Sequence, residues 1–235
     1  MEKEAAYRSI VLHSYLMATD TNPEGFAMNI LHIDSGILGD HSVSRGLTAA
    51  IVEKLKAENP AASVTYRDVA SAPLAHLGGA HIFAANANPE GIDAKLADEL
   101  ADAKAALDEF MAADIVVIGA PMYNFTIPSQ LKAWIDRVLV AGTTFRYSAS
   151  GVEGLAKGKK IIVASTRGGH YSAGSPASAM DHQETYLSAV FAFVGITDIE
   201  FIRAEGLNIS PESKEAAVAA ARKAIAENDA LAAAA

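Results

Sequence analysis

Five short aliphatic runs recur along the chain: NILHID (29–34), SVTYRDV (63–69), DIVVIGA (114–120), KIIVAST (160–166) and DIEFIRA (198–204). Between them lie long Ala-rich segments of helical period. Each run has the length of a strand, and consecutive parallel strands need a crossover long enough to hold a helix. The alternation therefore specifies βαβ units and an α/β fold with a parallel sheet of five strands. VSRGLTAAIVEKLKAEN sets Leu47, Ile51 and Leu55 on one helical stripe, and DAKLADELADAKAALDEFMAA sets Leu96, Leu100, Leu107 and Met111 on another. Each stripe needs a sheet face to cover it. Ser210 as N-cap with Pro211 at the first helical position opens a closing helix.

No repeat or linker divides the chain, so one domain is expected over residues 28–235. Residues 1–27 end in the turn-like TNPEGFA and lack the basic start and long apolar core of a signal peptide. They read as a mobile extension or an upstream start, with Met28 opening the domain. With a net charge of -9, a general attraction to phosphate backbones is disfavoured, and so is nucleic-acid binding. The chain contains no cysteine, which removes disulfides, thiolate metal sites and cysteine nucleophiles together. A cytoplasmic location fits that composition, and no apolar run reaches the roughly 20 residues of a membrane span. The histidines are scattered without metal-ligand spacing, so no metal site is expected.

In a parallel α/β sheet, ligands bind beyond the carboxyl ends of the strands. After the first strand, SGILGDHSVSRG places hydroxyls at Ser35, Ser42 and Ser44 where a helix begins. They suit a phosphate, and they equally suit simple capping. The spacing in SGILGD is not that of a dinucleotide fingerprint, and GLAKGKK is not a P-loop. After the third strand, PMYNF joins flat apolar side chains to a carboxamide. That is what a planar heteroaromatic ring requires, although Tyr123 and Phe125 could instead pack on a helix or a subunit interface. After the fourth strand, STRGGHYSAGSP carries Arg167, His170 and Tyr171 beside paired glycines that let backbone approach a ligand. The connection from 70 to 91 is long enough to be functional or disordered.

Taken in order, MNILHIDSGILGDHSVSR, IVVIGAPMYNFTIPSQLKAWIDR, AGTTFRYSASGVEGLAKGKK and STRGGHY resemble the FMN-dependent NADH-azoreductases, relatives of the quinone reductases in the flavodoxin-like superfamily. The resemblance implies a flavodoxin-like three-layer sandwich, strand order 2-1-3-4-5 with helices on both faces. It also implies a homodimer with sites at the interface and one non-covalent FMN per subunit. Ser35 with Ser42, Val43 and Ser44 would hold the phosphate. Met122, Tyr123, Asn124 and Phe125 would line the isoalloxazine, and Thr166, Arg167, Gly168 and Gly169 would approach its edge. Asn124, Phe125, Phe145 and Tyr147 would border the substrate pocket. The implied reaction is two-electron ping-pong reduction of quinones and cleavage of aromatic azo compounds to amines. NADH is the donor and NADPH the alternative; no side chain is an essential catalyst, and protons come from water, Tyr147 or His170. A flavodoxin-type single-electron carrier is the neighbouring alternative, and a flavin-free interaction module on the same fold a third.

Overall fold

The computed structural model describes residues 28–84, 92–149, 151–229 and 231. The expected extension 1–27 and the end of the long 70–91 connection lie outside the described residues. Five parallel strands form the central sheet: β1 (Asn29–Asp34), β2 (Ser63–Asp68), β3 (Ile115–Pro121), β6 (Lys160–Thr166) and β7 (Asp198–Ala204). Their order is β2-β1-β3-β6-β7, which is 2-1-3-4-5 when the parallel strands are counted in sequence. The strand register runs from Ile30 opposite Ile115 and from Ile115 opposite Lys160.

Side chains alternate across each strand, so one run of residues feeds two cores. Leu31, Ile33, Val116, Ile118, Ile161 and Val163 face α3 (Ala94–Ala112), α4 (Ser129–Val138) and α5 (Glu184–Phe193). Ile30, Ile115, Val117 and Ile162 face α1 (Val43–Glu58) and α6 (Pro211–Glu227). Every residue of β3 and β6 is buried, as their continuous aliphatic sequences require of central strands. Ser210 caps α6 by accepting from the Ser213 N–H, and Leu47, Ile51 and Leu55 are buried on α1.

Three features differ from the sequence expectation. On α3 the fully buried residues are Ala106 and Phe110, with Leu107 and Met111 only partly covered. Phe110 meets Trp134 edge-on at 5.7 Å, and that large contact sets the rotation of the helix. The long connection contains a short helix, α2 (Gly79–Ala84). The TFRY segment enters a two-stranded antiparallel hairpin, β4 (Phe145–Ser148) with β5 (Gly151–Gly154), outside the main sheet. No helix among the described residues is long and apolar enough to cross a membrane.

Candidate functional site

The carboxyl ends of β1, β3 and β6 open side by side, and the loops that leave them converge. Strand β3 continues its pairing with β6 for one step, Met122 N–H donating to the Thr166 carbonyl at 2.8 Å. The chain then reverses in two residues. Tyr123 N–H donates to the Thr126 carbonyl at 2.9 Å, and Thr126 N–H returns to Tyr123 at 3.2 Å. The two central residues, Asn124 (φ 49°) and Phe125 (φ 73°), both have left-handed backbone. Two positive φ angles in a two-residue loop are the type I′ pattern, which normally recruits glycine at its second position. Phenylalanine there is strained, and the surroundings hold it: the Phe125 carbonyl accepts from His182 N–H at 3.0 Å, and Thr126 Oγ1 donates to the His182 carbonyl. Phe125 is 40 % exposed and meets Tyr171 edge-on.

Two cavities flank this turn. The larger, about 930 Å³, is lined by Ile37, Met122, Tyr123, Asn124, Thr126, Ile127, Ser129, Gln130, Lys132 and Tyr186. The smaller, about 140 Å³, runs between Ser42, Val43, Met122, Tyr123, Thr166, Arg167, Gly168, Asn208 and Lys214. Tyr123 joins two of the loops, because its hydroxyl accepts from Ile37 N–H at 3.2 Å. Tyr186 is placed by α5; burial, with Asp136 adding, pushes its phenol up to about 12, so it stays a donor at neutral pH.

At the β1 end, Ser35 is buried and donates to the Gly119 carbonyl at 2.5 Å, which ties the ends of β1 and β3 together. Ser42 and Ser44 are also buried, and their hydroxyls share one hydrogen bond of 2.9 Å. Whichever donates, the hydrogen of the other hydroxyl has no acceptor among the described residues. Gly36 lies directly against this pair: a Cβ on it would sit 2.3 Å from Ser42 Oγ, so no larger residue fits without moving the hydroxyl. Arg45 fixes the loop by donating to the Gly36 carbonyl at 3.1 Å and to Asp68 at 2.8 Å. Below it, burial acts to raise Asp34, but the His32 imidazole 3.5 Å away and hydrogen bonds from Thr48 and Tyr66 outweigh it and hold the carboxyl below its ordinary range. Burial and the Asp34 charge push Tyr66 up to about 12.

At the β6 end the structure separates the backbone of the RGG segment from its side chain. Arg167 is 1 % exposed and turns inward. Its guanidinium contacts Asp181 at 2.9 Å, Glu184 at 2.6 Å and Glu205 at 3.1 Å, and it donates to Gln183 at 3.0 Å. Arg167 therefore organises the loop, and its side chain is committed to these carboxylates. Burial acts to raise Glu205, yet the N–H groups of Ser172 and Tyr171 and the Arg167 cation together lower it. The Gly168 and Gly169 carbonyls accept from Asn208 and Gly206. Among the described residues the N–H groups of Gly168 and Gly169 have no acceptor.

The remaining sequence candidates lie apart. Phe145 is buried against Phe193 at 4.7 Å, and Tyr147 stands on the hairpin, 74 % exposed. Neither lines the two cavities within one chain, nor does the exposed His170. Gln183, Tyr186 and Lys214 were not singled out from the sequence. Gln183 donates to the Ala120 carbonyl at 2.6 Å and so braces the end of β3. All three come from the segments around α5 and α6, whose sequence carries no motif. Among the described residues no cluster of His, Asp or Glu could hold a metal ion.

A family model described as "Flavodoxin-like fold" matches residues 28–228. An "FMN-dependent NADH:quinone oxidoreductase" of Rhizobium meliloti (strain 1021) is 67 % identical over 204 residues, covering 87 % of this chain and 98 % of the relative. The crystal structure of an azoreductase from Bacillus anthracis str. Sterne superimposes with a TM-score of 0.75 at 30 % identity, covering 85 % of this chain and 97 % of that one. An "FMN-dependent NADH-azoreductase" of Bacillus anthracis str. Ames Ancestor, solved in complex with FMN, gives 0.74 at 25 % identity, with coverage of 85 % and 98 %.

Proposed function

The chain belongs to the Flavodoxin-like fold family, and from that premise we propose that it is an FMN-dependent oxidoreductase that takes electrons from NADH and reduces quinones. We extend the proposal to cleavage of aromatic azo compounds and to ping-pong turnover. The observation that carries it is the strained turn at the end of β3. Two non-glycine residues are held at positive φ by contacts to His182, beside paired glycines whose N–H groups have no acceptor among the described residues, and strain that the surrounding structure maintains in this way clusters at ligand sites.

The residues present fit FMN. Met122 and Tyr123 wall both cavities with apolar surface, as a flat ring needs. The start of α1, with the Ser42 and Ser44 hydroxyls, suits the phosphate. The Gly168 and Gly169 N–H groups suit a ring edge. When bound, FMN supplies the two-electron chemistry that no side chain of this protein provides.

The chain's own residues orient and insulate. Gly168, on the wall of the 140 Å³ cleft, offers a backbone N–H that would stabilise negative charge developing beside it without reorganisation at the moment of reaction. Asn124, whose carboxamide has no partner among the described residues, offers both a donor and an acceptor at the cavity mouth. The apolar walls at Met122, Ile127 and Ile37 exclude water from the acceptor. One NADH and one proton convert a quinone to a hydroquinone; two NADH and two protons convert an azo bond to two amines. Phe125 lines neither cavity within one chain, and we place the acceptor in the 930 Å³ cavity beside Met122, Tyr123 and Asn124, at the interface of a homodimer.

Steady-state rates with NADH and a quinone, each varied against the other, test the cycle. Parallel double-reciprocal lines are expected, and intersecting lines would contradict ping-pong turnover. The same series with an azo dye is expected to consume two NADH per dye.

A further inference from the structure

The phosphate end of the proposed site has hydrogen-bond donors, and its own loop brings no lysine or arginine to it, His41 being the one basic side chain of that loop on the 140 Å³ cleft. Val43 and Ser44 offer N–H groups, and Ser42 and Ser44 offer hydroxyls, all neutral; the Ser42 N–H is already given to the Gly39 carbonyl at 3.0 Å. Arg45 lines neither cleft and is engaged by Gly36, Tyr66, Asp68 and Asp34, while Arg167, which does line the 140 Å³ cleft, is engaged by Asp181, Glu184 and Glu205. A phosphate monoester carries roughly -1.5 to -2 at neutral pH, and it would enter a protein whose own net charge is -9.

A cation reaches the place from the other end of the sequence. Lys214 lines the 140 Å³ cleft together with Ser42, Val43 and Gly168. It also lines an adjoining cleft of about 240 Å³ with His41, Ser42, Val43, Asp40 and Arg222. Asp40 faces only the second cleft, so in the first no carboxylate competes for the ammonium group. Among the described residues Lys214 makes neither an ion pair nor a side-chain hydrogen bond. Its position is also electrostatically awkward. The Lys214 N–H donates to the Ser210 carbonyl at the N-cap, in the opening turn of α6, where the helix dipole disfavours positive charge. A lysine without a partner among the described residues, against the dipole, beside a hydroxyl pair with one spare hydrogen and free N–H groups, lacks only an anion.

We infer that Lys214 supplies the counter-charge for the phosphate of the bound flavin, a role carried by α6 and added to the neutral donors of the β1 loop. The inference rests on FMN being the cofactor. Lys214 from the first turns of α6 and Ser42 and Val43 at the start of α1 line the same cleft, so residues of both helix starts would hold the phosphate.

Titration of the flavin-free protein with FMN and, separately, with riboflavin, followed by flavin fluorescence, tests it. Riboflavin has the same ring and lacks the phosphate. Lys214→Met keeps an unbranched apolar stem on an exposed position, so the fold is not at risk. FMN affinity is expected to fall about tenfold, riboflavin affinity to stay the same, and Lys214→Arg to retain most of the FMN affinity. The salt dependence of FMN binding is expected to flatten in Lys214→Met. Equal losses for both flavins, or no loss for either, would overturn the role. Wild-type protein that binds neither flavin would overturn the cofactor reading itself, and this inference with it.

Discussion

Replacing Phe125 with alanine and with glycine separates the strain of the turn from its packing. Phe125 has φ 73° and is 40 % exposed, with its main ring contact at Tyr171, 6.2 Å away. Full burial of a phenylalanine stabilises by about 1.5–3 kcal/mol, so partial burial here contributes about 1–2 kcal/mol, and both variants lose it. A non-glycine residue in left-handed backbone costs about 1–2 kcal/mol. Alanine keeps that cost and glycine removes it. Phe125→Gly is therefore expected to be more stable than Phe125→Ala by about 1 kcal/mol. This reverses the ordinary order, in which glycine is the weaker residue by about 0.4–1 kcal/mol. In a domain of this size the difference appears as about 2–4 °C in Tm, measured without added flavin so that binding does not contribute. An alanine variant as stable as the glycine variant would refute the strained-turn account.

Other expectations follow from the same geometry. Arg167→Met leaves Asp181, Glu184 and Glu205 without their buried cation and should cost about 3–5 kcal/mol in denaturant unfolding; a near-neutral variant that only loses FMN would mean that the side chain contacts flavin instead. Gly36→Ser drives a Cβ to within 2.3 Å of Ser42 Oγ and should weaken FMN binding several-fold, read by fluorescence titration, with unchanged affinity as the contrary result. On pH, the lowered Asp34 carboxyl contributes stability above its ordinary value of 3.8, lost as pH falls through the lower folded value. Tyr66 and Tyr186, raised from 10.0 to about 12, contribute stability below pH 10 that is lost as pH climbs toward 12. Unfolding free energy should therefore decline at both ends, and a Tyr66→Phe variant with an unaltered alkaline limb would count against the Tyr66 part.

The sheet was legible because β3 and β6 are buried on both faces, and burial on both faces demands continuous aliphatic sequence. The three loops were legible for a related reason: the ends of parallel strands are where ligands bind, so unusual composition there stands out. The hairpin was not, since its strands are four residues each and its anchor, Phe145 on Phe193, is a contact across 48 positions that no local pattern announces. The carboxylate partners of the Arg167 side chain were not legible in its motif. Its partners Asp181, Glu184 and Glu205 are scattered along the following loop, α5 and the end of β7, and only the fold brings them to one guanidinium. Lys214 was invisible for the same reason, as one of several charges on an Ala-rich helix.

In the proposed function this chain binds FMN at the strand ends and passes electrons from NADH to a quinone. Protein reconstituted with FMN and mixed anaerobically with NADH tests it directly. The oxidised flavin absorbance should fall rapidly and return on addition of a quinone. Flavin that fails to bind, or whose absorbance NADH leaves unchanged, would contradict it.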